Sequence, residues 1–137
     1  VSAKRFIDTN VLAYVFDHHN QARRRTAKRV LRELAVSRSG VVSTQIMQEL
    51  YSVLTRKLAV EPRTARRAVA GAAHYEVVTL TPGMVLEAVD CAALEHLSIW
   101  DSLVIIAAAA ARCEEVLTED LNPGQVIRGV RVVNPLT

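Results

Sequence analysis

The sequence predicts an α/β fold, a three-layer α/β/α arrangement around a parallel sheet of about five strands. Three observations carry that expectation. Short runs rich in Val, Ile, Thr and Phe alternate along the whole chain with longer stretches of helical character. The short runs are apolar without clean alternation, so both of their faces should be buried, as in a parallel sheet covered by helices. Finally, the chain has 137 residues, half hydrophobic and 23% charged, which suits one ordinary globular domain spanning 1–137.

Taken in order, Lys4–Asp8 reads as the first strand and Val11–Phe16 as a short helix. Gln21–Val36 reads as a helix, Gly40–Ser43 as a strand and Thr44–Leu58 as the helix that follows it. Pro62–His74 and Pro82–His96 read as helices because each proline stands at a first helical position, where its missing N–H costs nothing. Between them Glu76–Thr79 reads as a strand. Ser102–Cys113 is apolar nearly all round, the mark of a buried helix. Glu115–Thr118 and Val130–Val133 complete the strands. There is no internal repeat, low-complexity segment or flexible linker.

Composition narrows the function classes. The longest apolar run, Leu103 to Ala111, is far short of the ~18 residues that would suggest a membrane span. The first residues lack signal-peptide anatomy, and Cys91 and Cys113 have neither metal-type spacing nor the numbers for a disulfide framework. A cytoplasmic protein in a reducing compartment is expected. Charge is unevenly spread: residues 1–70 hold 14 of the 17 Lys/Arg but only 5 of the 14 acids. Arg23, Arg24, Arg25, Lys28, Arg29 and Arg32 form one basic group, and Arg56, Lys57, Arg63, Arg66 and Arg67 another. Such asymmetry fits a polyanionic partner, and equally two solvated helix faces.

Four acids stand at the edges of apolar runs: Asp8, Glu49, Asp101 and Asp120. Carboxylates are costly to bring near a core, and four such placements suggest a cluster that holds a hard cation. The fold explains how they would meet, since ligands of open α/β sheets bind beyond the carboxyl ends of the strands. Asp8 ends the first strand, Asp120 follows the fourth, Glu49 lies in the helix after the second, and Asp101 opens the Ala-rich helix before the fourth.

Each acid also has a plainer reading. Asp8 could cap the next helix, although Thr9 or Asn10 would cap equally well and leave its carboxylate free. Glu49 sits about 40° beyond the Val53 edge of an apolar arc formed by Ile46, Met47, Leu50, Tyr51, Val53 and Leu54. It could be a surface glutamate paired with a nearby base. Asp101 would cap its helix, a role compatible with metal binding. Asp120 or Glu119 could be turn residues before Asn122-Pro123-Gly124. Thr118 offers a hydroxyl to a carboxylate or a water. His18, His19, His74 and His96 read as loop or helix-end residues, and Trp100 and Tyr14 as packing residues rather than base-stacking ones.

Four segments together resemble the PIN-domain nucleases, and more narrowly the VapC-type toxins of prokaryotic toxin–antitoxin pairs. They are Phe6-Ile7-Asp8-Thr9-Asn10-Val11-Leu12, Ser43-Thr44-Gln45-Ile46-Met47-Gln48-Glu49, Trp100-Asp101-Ser102-Leu103-Val104 and Leu117-Thr118-Glu119-Asp120-Leu121. The resemblance covers nearly the full length, and the four segments share the family's order and spacing. It implies Asp8, Glu49, Asp101 and Asp120 as an acidic quartet, supported by Asn10 and Thr118, with Glu119 beside them. It also implies Mg²⁺ or Mn²⁺ as cofactor, RNA as substrate, a homodimer, and an antitoxin protein that covers the site. Ser102 departs from the family's usual alanine, and the Asn122-Pro123-Gly124 turn is a second, minor departure.

The expected activity is therefore metal-dependent endoribonuclease action on phosphodiester bonds. Asp8 and Asp101 are the first choices as direct metal ligands. Asp120 and Glu49 would act through water or help deprotonate it. Arg23, Arg24, Arg25, Lys28, Arg63 and Arg67 would hold RNA phosphates. The competing expectation is a PIN-like RNA- or partner-binding module without significant catalysis. A nucleotide-binding protein of another class is disfavoured, because no Gly-x-Gly-x-x-Gly or P-loop follows any predicted strand.

Overall fold

Phe6 and Ile7, Val41 and Val42, Val116 and Leu117 are neighbouring pairs whose side chains point to opposite faces of a sheet, and all six are buried. Both faces must therefore be covered. The computed structural model, which describes residues 3–137, shows how. Its strands are β1 (Arg5–Ile7), β2 (Gly40–Ser43), β3 (Glu76–Val78), β4 (Glu115–Leu117), β5 (Val126–Ile127) and β6 (Val130–Val133). They form one six-stranded sheet in the order β3-β2-β1-β4-β6-β5, flanked by helices. Every pairing is parallel except that of the edge strand β5 with β6.

The edge strand β5 adds one antiparallel strand to the parallel sheet of about five that the sequence predicts. Val126–Ile127 is only two residues long and joins β6 through a tight turn in which Arg128 and Gly129 both have positive φ. A strand so short has no periodicity of its own and exists because β6 offers it a partner.

The helices are α1 (Thr9–Ala13), continued by a 3-10 turn over Tyr14–Phe16, then α2 (Gln21–Ser37), α3 (Thr44–Arg56), α4 (Pro62–Ala72), α5 (Pro82–Glu95) and α6 (Ile99–Ala110). Polar side chains start most of them: Asn20, Ser43, Thr81 and Ser98 accept from the backbone N–H three residues on. Pro62 and Pro82 stand in the first turn, as expected. The start of α6 differs from expectation. Ser98, not Asp101, is its N-cap, and Asp101 is the third residue of the helix.

Core packing is centred on α6, in which every residue from Ser102 to Ala108 is buried. It packs on α5 and reaches β2, β4 and β6. Gly40 lies at the start of β2 because the Tyr75 ring passes so close that an added Cβ would sit 2.6 Å from Tyr75 Cδ1. Cys91 and Cys113 are free and buried. Among the described residues, no single helix is long and apolar enough to cross a membrane.

The strand order sets the position of the site. From β1 the chain moves outward to β2 and then β3, and from β3 it returns to the other side of β1 as β4. The connections leaving β1 and β4 thus diverge, opening a crevice at their carboxyl ends.

Candidate active site

Asp8 and Thr118 are the residues just past β1 and β4. The parallel register pairs Ile7 with Leu117, and one further bond, Asp8 N–H to Leu117 O at 3.0 Å, carries the pairing to the crevice. The Thr118 hydroxyl consequently donates to Asp8 Oδ2 at 2.8 Å. The other carboxylate oxygen accepts the Thr9 N–H at 2.7 Å. Asp8 is therefore the N-cap of α1, the plainer of its two readings, and neither Thr9 nor Asn10 takes that role. The two bonds use one lone pair of each oxygen and leave the others for a ligand. At 5% exposure, burial pushes the Asp8 carboxyl up to about 6, opposed by the Thr118 and Thr9 bonds and reinforced by the charges of Asp120 and Glu49.

Asp120 lies on the same loop. Its Oδ2 accepts from Asn10 Nδ2 at 3.0 Å, and its own N–H donates to the Thr118 hydroxyl at 3.0 Å. Asn10 and Thr118 thus tie the two strand ends together. Asn10 Oδ1 is buried with no partner among the described residues.

Glu49 comes from α3 and stands half-buried at the boundary of the helix's apolar face, as the wheel predicts. Tyr51, expected within that arc, is exposed instead. Both Glu49 oxygens are held. Thr9 Oγ1 donates to Oε2 at 3.0 Å and Gln45 Nε2 donates to Oε1 at 2.8 Å. The same Gln45 nitrogen donates to the Trp100 carbonyl at 3.1 Å, linking α3 to the first turn of α6. Asp101, in that turn, has its carboxyl raised by partial burial and by the charges of Asp120 and Glu49, with the Ser98 hydroxyl opposing. Asp8 and Asp101 therefore both feel the same two acids.

All four acids line one cleft of about 460 Å³, together with Thr9, Asn10 and Gln45. Gln45 is a residue that sequence reasoning missed, although its i,i+4 spacing to Glu49 was visible. Lys57, two turns beyond Glu49 on the same side of the chain, is the one basic residue in the lining. Trp100, expected to be a packing residue, is 63% exposed at this cleft.

Glu119 also faces the cleft, but its carboxylate is engaged by the Tyr14 hydroxyl at 2.8 Å and by Arg23 Nη1 at 2.8 Å. Arg23 also lies over the Tyr14 ring, 5.6 Å from its centre. Arg24 donates to the Val15 carbonyl. Arg25, Lys28, Arg63 and Arg67 have no carboxylate partner among the described residues, and none of them lines the cleft.

Comparison with known proteins decides the family. The family model for the PIN domain matches residues 5–127. The chain belongs to the PIN domain family. Solved PIN-fold structures are similar at low identity. One is a toxin–antitoxin complex from Klebsiella pneumoniae, at 21% identity and a TM-score of 0.72, covering 98% of each chain. Another is Mycobacterium tuberculosis VapC20, described as a sarcin-ricin loop cleaving toxin, at 20% identity and 0.66, covering 85% of this chain and 90% of that one. A third is DNA-bound VapBC from Salmonella typhimurium, at 17% identity and 0.66, covering 96% and 97%. A search of curated proteins finds no match.

The donor set of this PIN domain is all oxygen, the choice of a hard divalent cation. Among the described residues no three Asp, Glu, His or Cys side chains stand close enough together to hold a metal ion between them. An open arrangement is what Mg²⁺ takes, since it keeps several waters and needs only one or two carboxylates. Burial, and behind it the charges of Asp120 and Glu49, disfavour the ionised forms of Asp8 and Asp101, which supplies a reason to bind positive charge. The residues fit the ion.

Proposed function

We propose that this PIN domain, residues 1–137 as one unit, is a metal-dependent endoribonuclease that hydrolyses RNA phosphodiester bonds. The observation that carries this reading is the convergence of acids from four separate segments on one cleft at the β1/β4 crevice. Asp8 and Asp101 would hold Mg²⁺ or Mn²⁺ directly. When bound, the ion would supply Lewis acidity, lowering the pKa of water and offsetting charge on the phosphoryl oxygens. The chain's own residues do the rest. Thr118 and the Thr9 N–H orient Asp8 and favour its ionised form. Thr9 and Gln45 fix both oxygens of Glu49, so that this carboxylate is aimed before substrate arrives. Asn10 holds Asp120 over the same space. Glu49 and Asp120 would orient the attacking water and accept its proton.

The fold shared with VapC proteins supports a toxin of a toxin–antitoxin pair acting in the cytoplasm, with an antitoxin segment covering the cleft and placing a basic group among the acids. A homodimer is supported by α5, which exposes Leu86, Val89 and Leu94. Arg25, Lys28, Arg63 and Arg67 would contact RNA phosphates outside the cleft, while Arg23 would act chiefly by anchoring Glu119.

The open spacing of the acids favours one competing reading, a PIN-like binding module without significant catalysis. Incubation with RNA in Mg²⁺ or Mn²⁺, in EDTA, and with the Asp8→Asn variant separates the two. Cleavage only by the wild-type chain with metal supports the nuclease. No cleavage in any condition, with no metal uptake by calorimetry, supports the binding module.

A further inference from the structure

Three consecutive residues of the loop after β4 are each tied to α1 or to its two ends. Thr118 donates to Asp8, Asp120 accepts from Asn10, and Glu119 between them accepts from the Tyr14 hydroxyl at 2.8 Å. Asn10 and Tyr14 are four residues apart, about one helical turn, and so meet adjacent residues of the loop.

Arg23 closes the arrangement from a further element. It lies in the first turn of α2, where its backbone N–H is capped by Asn20 at 3.2 Å. Its Nη1 donates both to the Tyr14 hydroxyl at 3.0 Å and to Glu119 Oε2 at 2.8 Å, while that hydroxyl donates onward to Glu119 Oε1. Both Glu119 oxygens and both hydrogens of that nitrogen are thus used, in a closed ring of three side chains. The Arg23–Glu119 bond joins two ionised groups and is therefore among the stronger kind.

The sequence assigns Arg23 to a phosphate-binding run with Arg24 and Arg25. The structure places it differently. Tyr14 and Glu119 line the cleft, and Arg23 is not part of that lining but is joined to both. The pair adds little to stability, since its side chains are 40% and 22% exposed. Its consequence is local. The exposed Asp120 carboxylate accepts one bond among the described residues, that from Asn10, so its placement depends on how firmly the loop beside it is held.

We propose that Tyr14 and Arg23 are positioning residues, which act through Glu119 to hold Asp120 over the metal-binding space, and that Arg23 is not an RNA contact. This role rests on the ribonuclease reading above. Glu119 serves as the handle of the loop, and its two partners keep its own charge away from the ion.

The Tyr14→Phe variant, which keeps the ring and removes the hydroxyl, is compared with Arg23→Gln, Arg23→Lys and Arg25→Gln. Mn²⁺ binding is measured by calorimetry, RNA binding against salt in EDTA, and cleavage in Mn²⁺ as kcat and KM. Tyr14→Phe and Arg23→Gln should each weaken Mn²⁺ binding about 10-fold or more and lower kcat with it, as expected on losing a group that orients a metal-site carboxylate. KM and the salt slope should stay as in the wild type. Arg23→Lys keeps a cation for Glu119 and should recover part of the loss. Arg25→Gln should do the reverse, lowering the salt slope by about 1 with Mn²⁺ binding unchanged. The Tyr14→Phe/Arg23→Gln double variant should lose no more than the worse single one, because the ring acts as a unit. Unchanged Mn²⁺ binding in Tyr14→Phe overturns the proposal, and so does an Arg23→Gln protein that behaves like Arg25→Gln. Weakened Mn²⁺ binding in the variants of a chain that cleaves no RNA keeps the positioning role and removes the catalytic reading. A wild type that cleaves RNA in Mn²⁺, matched by both variants, does the opposite.

Discussion

Asp8 carries two opposed demands. Burial raises its folded pKa to about 6, above the ~3.9 of an unfolded aspartate. The folded state therefore binds the proton more tightly, and this contribution to stability is present below about pH 4 and lost as pH rises through about 6. Metal-free protein should lose on the order of 1–2 kcal/mol from this group between pH 4 and pH 7, and Asp8→Asn should recover part of it. Thermal melts of both proteins across that range, with and without Mg²⁺, check the expectation, since added metal should erase the wild-type loss. Ser102 is a second costly residue, because its hydroxyl is buried in α6 with no partner among the described residues. Ser102→Ala should stabilise the chain by about 1 kcal/mol in urea unfolding, and an unchanged or lowered midpoint would show a partner for the hydroxyl. Gln45→Leu should keep the fold yet weaken Mn²⁺ binding about 10- to 100-fold by calorimetry, the usual effect of losing a group that orients a metal-site carboxylate. Of the candidate site, the segments proposed the four acids, Asn10 and Thr118, and the fold brings these residues near one another. The partners of Glu49 were not, because a hydrogen bond from Thr9 crosses between elements that only the fold brings together.

At the scale of elements, the packing of β2 beneath Tyr75 gives the clearest prediction. Gly40→Ala should destabilise the protein by about 1–3 kcal/mol, because the ring cannot retreat without disturbing its own bond to the Leu31 carbonyl. Denaturant unfolding measures it, and a neutral result would mean that the ring is free to shift. The five parallel strands were readable because each is a short, largely apolar run between helical stretches. The start of α6 was misread because Asp101 resembles a cap. The pattern Ser98-Ile99-Trp100-Asp101 carries the better signal, a hydroxyl residue followed by an acid three positions on. Placing the cap at Ser98 moves Trp100 inside the first turn and makes it a rigid feature of the cleft rather than a loop residue.

For the whole molecule, the order β3-β2-β1-β4-β6-β5 turns four sequence-distant segments into one centre. The sequence alone could say that the acids lay at strand ends, but not that β1 and β4 are neighbours, which is what joins Asp8 to Thr118 and Asp120. Charge is distributed on the same scale: the cleft is lined by acids with Lys57 as its one base, and Arg25, Lys28, Arg63 and Arg67 lie outside it. RNA binding should accordingly fall steeply with salt, and combined neutralisation of Arg25, Lys28, Arg63 and Arg67 should flatten the slope of log K against log salt. If the reading proposed above holds, the four carboxylates form one metal-dependent catalytic centre. Cleavage of a single RNA in Mn²⁺, compared between the wild type and Asp8→Asn, Glu49→Gln, Asp101→Asn and Asp120→Asn, tests it directly. The account predicts activity in the wild type and a loss of about 100-fold or more in each variant. Activity that survives in all four variants, or that persists in EDTA, would contradict it.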